Sequence, residues 1–215
     1  MTDTAGAAPE ARSVGGGFPE IKPADHAPPG LGRFVGALRR LQDLTVSTDP
    51  GSAWSMAAQH VEDACALLDG HQVPAERAPA GRVIELPGFG HPLMPPWNVA
   101  VSGPGGVTME GHFTRSHVGG NNAVHGGMIP LFYDWLFGMV VTAAACPHTR
   151  TAFLHVDYRS ITPIDEPLIA RGRITEIDGR KIFISATMTS SCDKADGKLL
   201  SEATGLMVRL LPHQP

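Results

Sequence analysis

Residues 121–146 read NNAVHGGMIPLFYDWLFGMVVTAAAC, and the reading of this stretch decides the fold. A polar turn through His125-Gly126-Gly127 opens a run of about twenty residues, apolar almost throughout and near the length of a bilayer span. Asp134 is the one residue in it that is charged at neutral pH. A helix apolar on every side is a buried helix, so the pattern predicts that Asp134 is a buried carboxylate. Burying a carboxylate is costly, which points either to a reactive site or to a structural partner such as an arginine or backbone amides. A membrane span fits less well. It would hold an acid at mid-depth, an early Pro130, and no basic flank to orient it.

Downstream the period changes from helical to alternating. In 152–159, Ala152, Leu154, Val156 and Tyr158 fall on one face, with His155, Asp157 and Arg159 on the other. Leu168 to Ile177 alternates with Arg171 and Arg173 outward. Asp178-Gly179 then offers a hairpin turn into Lys181–Ser190, where Ile182, Ile184, Ala186 and Met188 share a face. Asp196-Gly197 leads into a last run, Leu199 to Leu210. Upstream, Val107–Thr114 alternates as a strand, and 71–106 is rich in Pro and Gly with short extended pieces at Arg82–Leu86 and Trp97–Ser102. One-sided alternation belongs to an antiparallel sheet with one covered face. The class is therefore α+β, an antiparallel sheet wrapped around one long central helix.

The N-terminal part reads differently. Residues 1–30, with Pro9, Pro19, Pro23, Pro28 and Pro29 and few large apolar residues, predict a disordered tail. Phe34, Leu38 and Leu41 predict a helix over Leu31 to Val46. Asp49-Pro50 predicts the cap of a second helix carrying Trp54, Ala58, Val61, Cys65 and Leu68 and stopping at Asp69-Gly70. Each has one apolar stripe, so both are expected to pack on the main domain. The chain divides accordingly into a tail (1–30), a helical extension (31–80) and a main domain (81–215).

The net charge of −4, from 17 basic and 21 acidic residues without a basic block, gives no nucleic-acid surface. Three widely spaced cysteines make neither a disulfide framework nor a CxxC pair, and no secretory signal is visible, so the expected location is the cytoplasm. The ten histidines include His112, His117 and His125, but none has zinc-motif spacing, and no metal is expected. A serine nucleophile would need a GxSxG elbow, which is absent. Cys146 reads as a small apolar filler.

His125-Gly126-Gly127 followed by Asp134, nine residues after the histidine, resembles the motif of hotdog-fold acyl-CoA thioesterases. The resemblance runs from about Gly106 to Leu210. The segment DGRKIFISATM, with LLSEATGLMVRL after it, looks like the branch of thioesterase superfamily members four and five, with PaaI-like enzymes more distant. The resemblance implies hydrolysis of an acyl-CoA, of medium to long fatty chain, to free acid and CoA. It also implies a homodimer, or a tetramer of two dimers, with active sites at the subunit interface, and no cofactor beyond the CoA of the substrate. By position it makes Asp134 the catalytic carboxylate, His125 and the Gly126 N–H the carbonyl pocket, and Thr151 an aid to the attacking water. The asparagine that many PaaI-like enzymes carry six residues before the histidine is Gly119 here, with Asn121 and Asn122 nearer but out of register. Gly127, Asn121 and Asn122 are candidate substrate contacts. Arg159, Arg180 and Lys181 are candidates for CoA phosphates or simply a solvated sheet edge. Met128, Phe132, Leu136 and Met139 are candidates for the acyl pocket. Two rival functions remain at this point: a hotdog hydratase or dehydratase, and a non-catalytic acyl-CoA binder.

The chemistry can be argued without the resemblance. A thioester hydrolysing through a tetrahedral intermediate needs donors where the oxyanion develops, and a helix N-terminus opened by glycines supplies free N–H groups. If all nine residues were helical, His125 and Asp134 would lie about 13 Å apart along the axis, too far to act together within one subunit.

Overall fold

The computed structural model describes residues 22–24, 26–146, 148–190 and 197–211. Most of the expected tail, the Asp196 end of the last turn, and Cys192 lie outside them. The elements run α1 (Leu31–Thr45), α2 (Ala53–Leu68), β1 (Asn98–Gly103), β2 (Gly106–Gly111), α3 (Met128–Ala143), β3 (Thr149–Tyr158), β4 (Leu168–Asp178), β5 (Lys181–Ser190) and β6 (Leu199–Arg209). One antiparallel sheet has the order β1-β2-β4-β5-β6-β3, so β1 and β3 are its edges. α3 lies across one face. Its Ile129, Phe132, Tyr133, Leu136, Phe137, Val140 and Val141 are buried. They meet Met109 of β2, Leu168 and Ala170 of β4, and the alternating Ile182, Ile184, Ala186 and Met188 of β5, all buried in the same core. This is the antiparallel sheet around one central helix that the change of period predicts. No helix among the described residues is long and apolar enough to cross a membrane.

Two glycines show how closely the layers approach. A Cβ on Gly172 of β4 would press on Val140 and Leu136 of α3, and one on Gly205 of β6 would press on Phe137. Tyr133 and Ser201 form a buried polar pair: the tyrosine hydroxyl lies 2.8 Å from the serine Oγ and donates to its carbonyl at 3.0 Å. Burial pushes the pKa of this phenol well up.

Three expectations change. Arg82–Leu86 is turn, not extended, because the Gly81 and Val83 N–H groups both fold back onto the Phe89 carbonyl and a 3-10 turn follows at Pro87–Gly90. The second helix begins at Ala53 rather than directly after Pro50, whose carbonyl accepts the Ala53 N–H. Only α1 packs on the main domain. Val35 is buried, Arg39 donates to the carbonyls of Pro87, His91 and Met94, and Asp43 accepts the Ser116 N–H at 2.8 Å. α2 has no buried residue, and Trp54 and Val61 are each 41% exposed.

Candidate active site

The helix that carries the site starts one residue after the two glycines, at Met128. The turn before it is built on backbone bonds: the His125 N–H donates to the His117 carbonyl, and the His125 carbonyl accepts the Met128 N–H. His125 Nδ1 accepts the Gly127 N–H at 3.0 Å. With Nδ1 acting as acceptor, the neutral imidazole carries its proton on Nε2, so the exposed edge of His125 is a donor. The Gly127 N–H is used up by this bond and offers nothing to a substrate. Among the described residues the Gly126 N–H donates to no protein group. The Gly126 carbonyl is held at 2.8 Å by the hydroxyl of Tyr158, at the far end of β3. Sequence reading placed Tyr158 on the correct face but saw no role for it, because this contact is 32 residues distant along the chain.

Asp134 is not buried. In the single chain it is exposed, because α3 has a sheet on one side only and Asp134 points to the other. Its flank is still apolar: Leu131, Trp135 and Met139 are only half-covered, and Phe89 from the loop before β1 meets Trp135 edge-to-face at 5.2 Å. Thr151 Oγ1 donates to Asp134 Oδ1 at 2.7 Å and also contacts Met207 Sδ at 3.2 Å. A β-bulge makes this contact possible. The β3–β6 register shifts between Thr151 and Phe153, so Thr151, opposite buried Met207, turns toward α3. The expectation that Ala152 shares a face with Leu154 is wrong for the same reason: the bulged residue breaks the alternation.

The structure therefore brings the candidates together in two groups. Asp134 and Thr151 meet at the start of β3, while His125, Gly126 and Tyr158 meet at its end. Seven residues of strand separate Thr151 from Tyr158, about 20 Å at roughly 3 Å per residue. The row Thr151–Met207–Ile182 also puts Arg180 and Lys181, at the β4–β5 hairpin, near the Asp134 end. Arg159 lies at the other end and is engaged: its guanidinium donates to Glu202 at 3.0 Å and to Asp157 at 3.3 Å, and both acids hold its pKa up.

Asn121 and Asn122 are exposed, with φ of 58° and 55°. Asparagine tolerates this left-handed conformation better than most residues, which accounts for the pair as turn formers. Gly119 explains the missing upstream asparagine: a Cβ there would sit 2.8 Å from the His125 Cα, so only glycine fits without moving the turn. Phe132 and Leu136 are fully buried against the sheet and cannot line an open acyl pocket.

Residues 121–194 match the thioesterase superfamily family model. The acyl-coenzyme A thioesterase THEM4 of Rattus norvegicus is 32% identical over 96 residues, covering 43% of this chain and 38% of that protein. THEM4 of Xenopus laevis is 34% identical over 88 residues, covering 41% and 38%. The match thus spans well under half of these relatives. A solved thioesterase superfamily protein superposes with a TM-score of 0.68 at 27% identity, covering 87% of this chain and 93% of its own.

Proposed function

The chain belongs to the hotdog-fold thioesterase superfamily, and on that premise we propose that it is an acyl-CoA thioesterase whose active site is completed by a second copy of the chain. The observation that carries the proposal is the separation of the two half-sites along the edge strand β3. Among the described residues no strand lies beside the outer edge of β3, and exposed edges call for a partner. A two-fold pairing of β3 with its copy, centred between Leu154 and His155, would bring the Thr151 end of one protomer beside the Tyr158 end of the other. Each dimer would then hold two sites, each with Asp134 and Thr151 from one chain and His125 and Gly126 from its partner. The same pairing would account for the exposed Asp134 on a half-covered apolar flank.

In this reading the thioester carbonyl accepts from the Gly126 N–H and from His125 Nε2. Asp134 either takes a proton from water as it attacks, or attacks the carbonyl itself to form a mixed anhydride that water hydrolyses after CoA has left. The tetrahedral oxyanion collapses, the C–S bond breaks, and the CoA thiolate leaves and is protonated. Donors aimed at such an oxyanion are typically worth about 3 kcal/mol to the transition state. The Thr151 hydroxyl, by donating to one Asp134 oxygen, fixes the carboxylate and leaves the other oxygen to react. Leu131, Trp135 and Met139 offer apolar surface for a fatty acyl chain of medium to long length, while Arg180 and Lys181 sit where the phosphates of CoA could be met. The two cysteines among the described residues, Cys65 exposed and Cys146 buried, are both free, which suits a reducing compartment such as the cytoplasm.

Incubating the protein with acyl-CoAs of graded length and a thiol reagent tests the reading. Release of CoA is the expected result. Hydration of an enoyl-CoA without CoA release would make the protein a lyase, and tight binding without turnover would make it a sensor.

A further inference from the structure

We propose that the face of the sheet turned away from α3 carries a second small-molecule site: a basin in which Arg171 and Arg173 hold a diphosphate-bearing anion. A hollow of about 520 Å³ opens there over β1, β2, β4 and β5. The polar side chains that line it are Thr108, Arg171, Arg173, Ser185 and Thr187, with no carboxylate among the lining residues.

Strand register builds this arrangement. On β4, Leu168, Ala170 and Gly172 face α3 and are buried, so Arg171 and Arg173 both project from the opposite face. They stand two residues apart, about 7 Å along the strand. Arg171 is flanked by Thr108 on β2 and Thr187 on β5, and Arg173 by Ser185 on β5 and Gly106 at the start of β2. Short side chains on both sides leave the two guanidiniums as the only long groups in the basin. The rim at the β1–β2 turn carries no side chain at Gly103, Gly105 or Gly106. Gly106 cannot be otherwise: its φ is +136°, and a Cβ would collide with the Gly172 carbonyl oxygen.

The two arginines lack partners. Among the described residues neither makes an ion pair or a side-chain hydrogen bond. The acid next in register, Glu202 beyond Thr187, is taken by Arg159. In a chain of net charge −4, two unmatched guanidiniums in one concave, hydroxyl-lined basin are suited to an anion rather than to a solvated face. A guanidinium binds phosphate oxygens in a bidentate fork. Two forks at this spacing bracket two linked phosphates, and the hydroxyls of Thr108, Ser185 and Thr187 remain to donate to the other oxygens. A single carboxylate would leave one fork empty. The basin lies across the sheet from Asp134 and Thr151, so it is separate from the proposed hydrolytic site and stands or falls independently of it.

The test is calorimetric titration of the full chain at low ionic strength with inorganic diphosphate, orthophosphate and ADP. The expected result is one saturable site per chain, with diphosphate at least about tenfold tighter than orthophosphate because both forks are filled. The double variant Arg171→Gln/Arg173→Gln should lose at least about tenfold in diphosphate affinity, and Arg40→Gln, an exposed arginine elsewhere, should change nothing. Circular dichroism melts confirm that the variants are folded; if the glutamine pair is not, Arg171→Lys/Arg173→Lys, which keeps charge but not the fork, should still bind more weakly than the native protein. ADP binding tighter than diphosphate would identify a nucleotide as the source of the group, and the reverse would identify free diphosphate. Absence of saturable binding, or a double variant that binds like the native chain, would overturn the proposal.

Discussion

Thr151 Oγ1 and Asp134 Oδ1 lie 2.7 Å apart, and this bond joins the edge strand of the sheet to the outward side of the central helix. It exists because one bulge in β3 turns Thr151 inward. The first prediction follows from that geometry. Thr151→Val keeps the shape but cannot donate, so the carboxylate loses its orientation. Turnover should fall by about 10- to 100-fold, in line with one lost hydrogen bond to a charged group, while Thr151→Ser should retain most activity. If the valine variant hydrolysed acyl-CoA like the native chain, the bond would have no part in catalysis.

Asp134→Asn separates a reactive acid from a structural one. Because Asp134 is exposed in the protomer and the amide can still accept from Thr151, the melting temperature should stay close to native. Turnover should fall by orders of magnitude, since neither base nor nucleophile remains, and acyl-CoA binding should persist. A variant that melts normally and also turns over normally would remove Asp134 from the mechanism.

The two N-terminal helices should contribute unequally to stability. Val35 of α1 is 4% exposed, so Val35→Ala should cost roughly 1–2 kcal/mol for two buried methyl groups. Val61 of α2 is 41% exposed, and Val61→Ala should stay within about 0.5 kcal/mol. Chemical denaturation of the two variants measures both. Equal losses would mean that α2 is covered by something other than its own chain.

His117 predicts an acid limb in stability. Burial lowers its pKa below the ordinary 6.5, more than neighbouring Asp43 raises it, and its neutral Nδ1 accepts the Thr114 N–H at 2.9 Å. The unfolded chain therefore takes up this proton at a higher pH than the folded one. The contribution of His117 is complete above pH 6.5 and is lost as the pH falls below it. Melting curves from pH 7.5 downward should show a decline that is shallower in His117→Gln. Parallel curves would exclude His117 as its source.

How much of this was legible in the sequence depends on what hydropathy can encode. The change of period from helix to strand located β4 and β5 within a residue, because Ile182, Ile184, Ala186 and Met188 alternate without a break. The bulge beside Ala152 left no trace, since an extra residue in a strand changes direction without changing composition. The exposure of Asp134 was hidden for a related reason: an all-apolar helix signals that every face is covered, but not whether its own chain or a second one does the covering. Gly119, read as a departure from a familiar pattern, proved to be a steric requirement of the His125 turn.

The last prediction tests the shared site directly. Asp134 with Thr151, and His125 with Gly126, sit at opposite ends of β3 in one protomer, so the proposed dimer through that edge would have two composite sites. Asp134→Asn and His125→Ala homodimers should each be nearly inactive, because every site lacks one half. When the two are mixed in equal amounts and allowed to exchange subunits, half of the dimers become mixed. In a mixed dimer both defects fall in one site, and the other site is native. Activity should therefore recover to about one quarter of the native value if exchange is random in a two-fold dimer. The readout is CoA release against time of mixing, with the oligomeric state followed by sedimentation. Full exchange without any recovery would place all four residues in one subunit's site, and an active monomer would dispense with the second chain altogether.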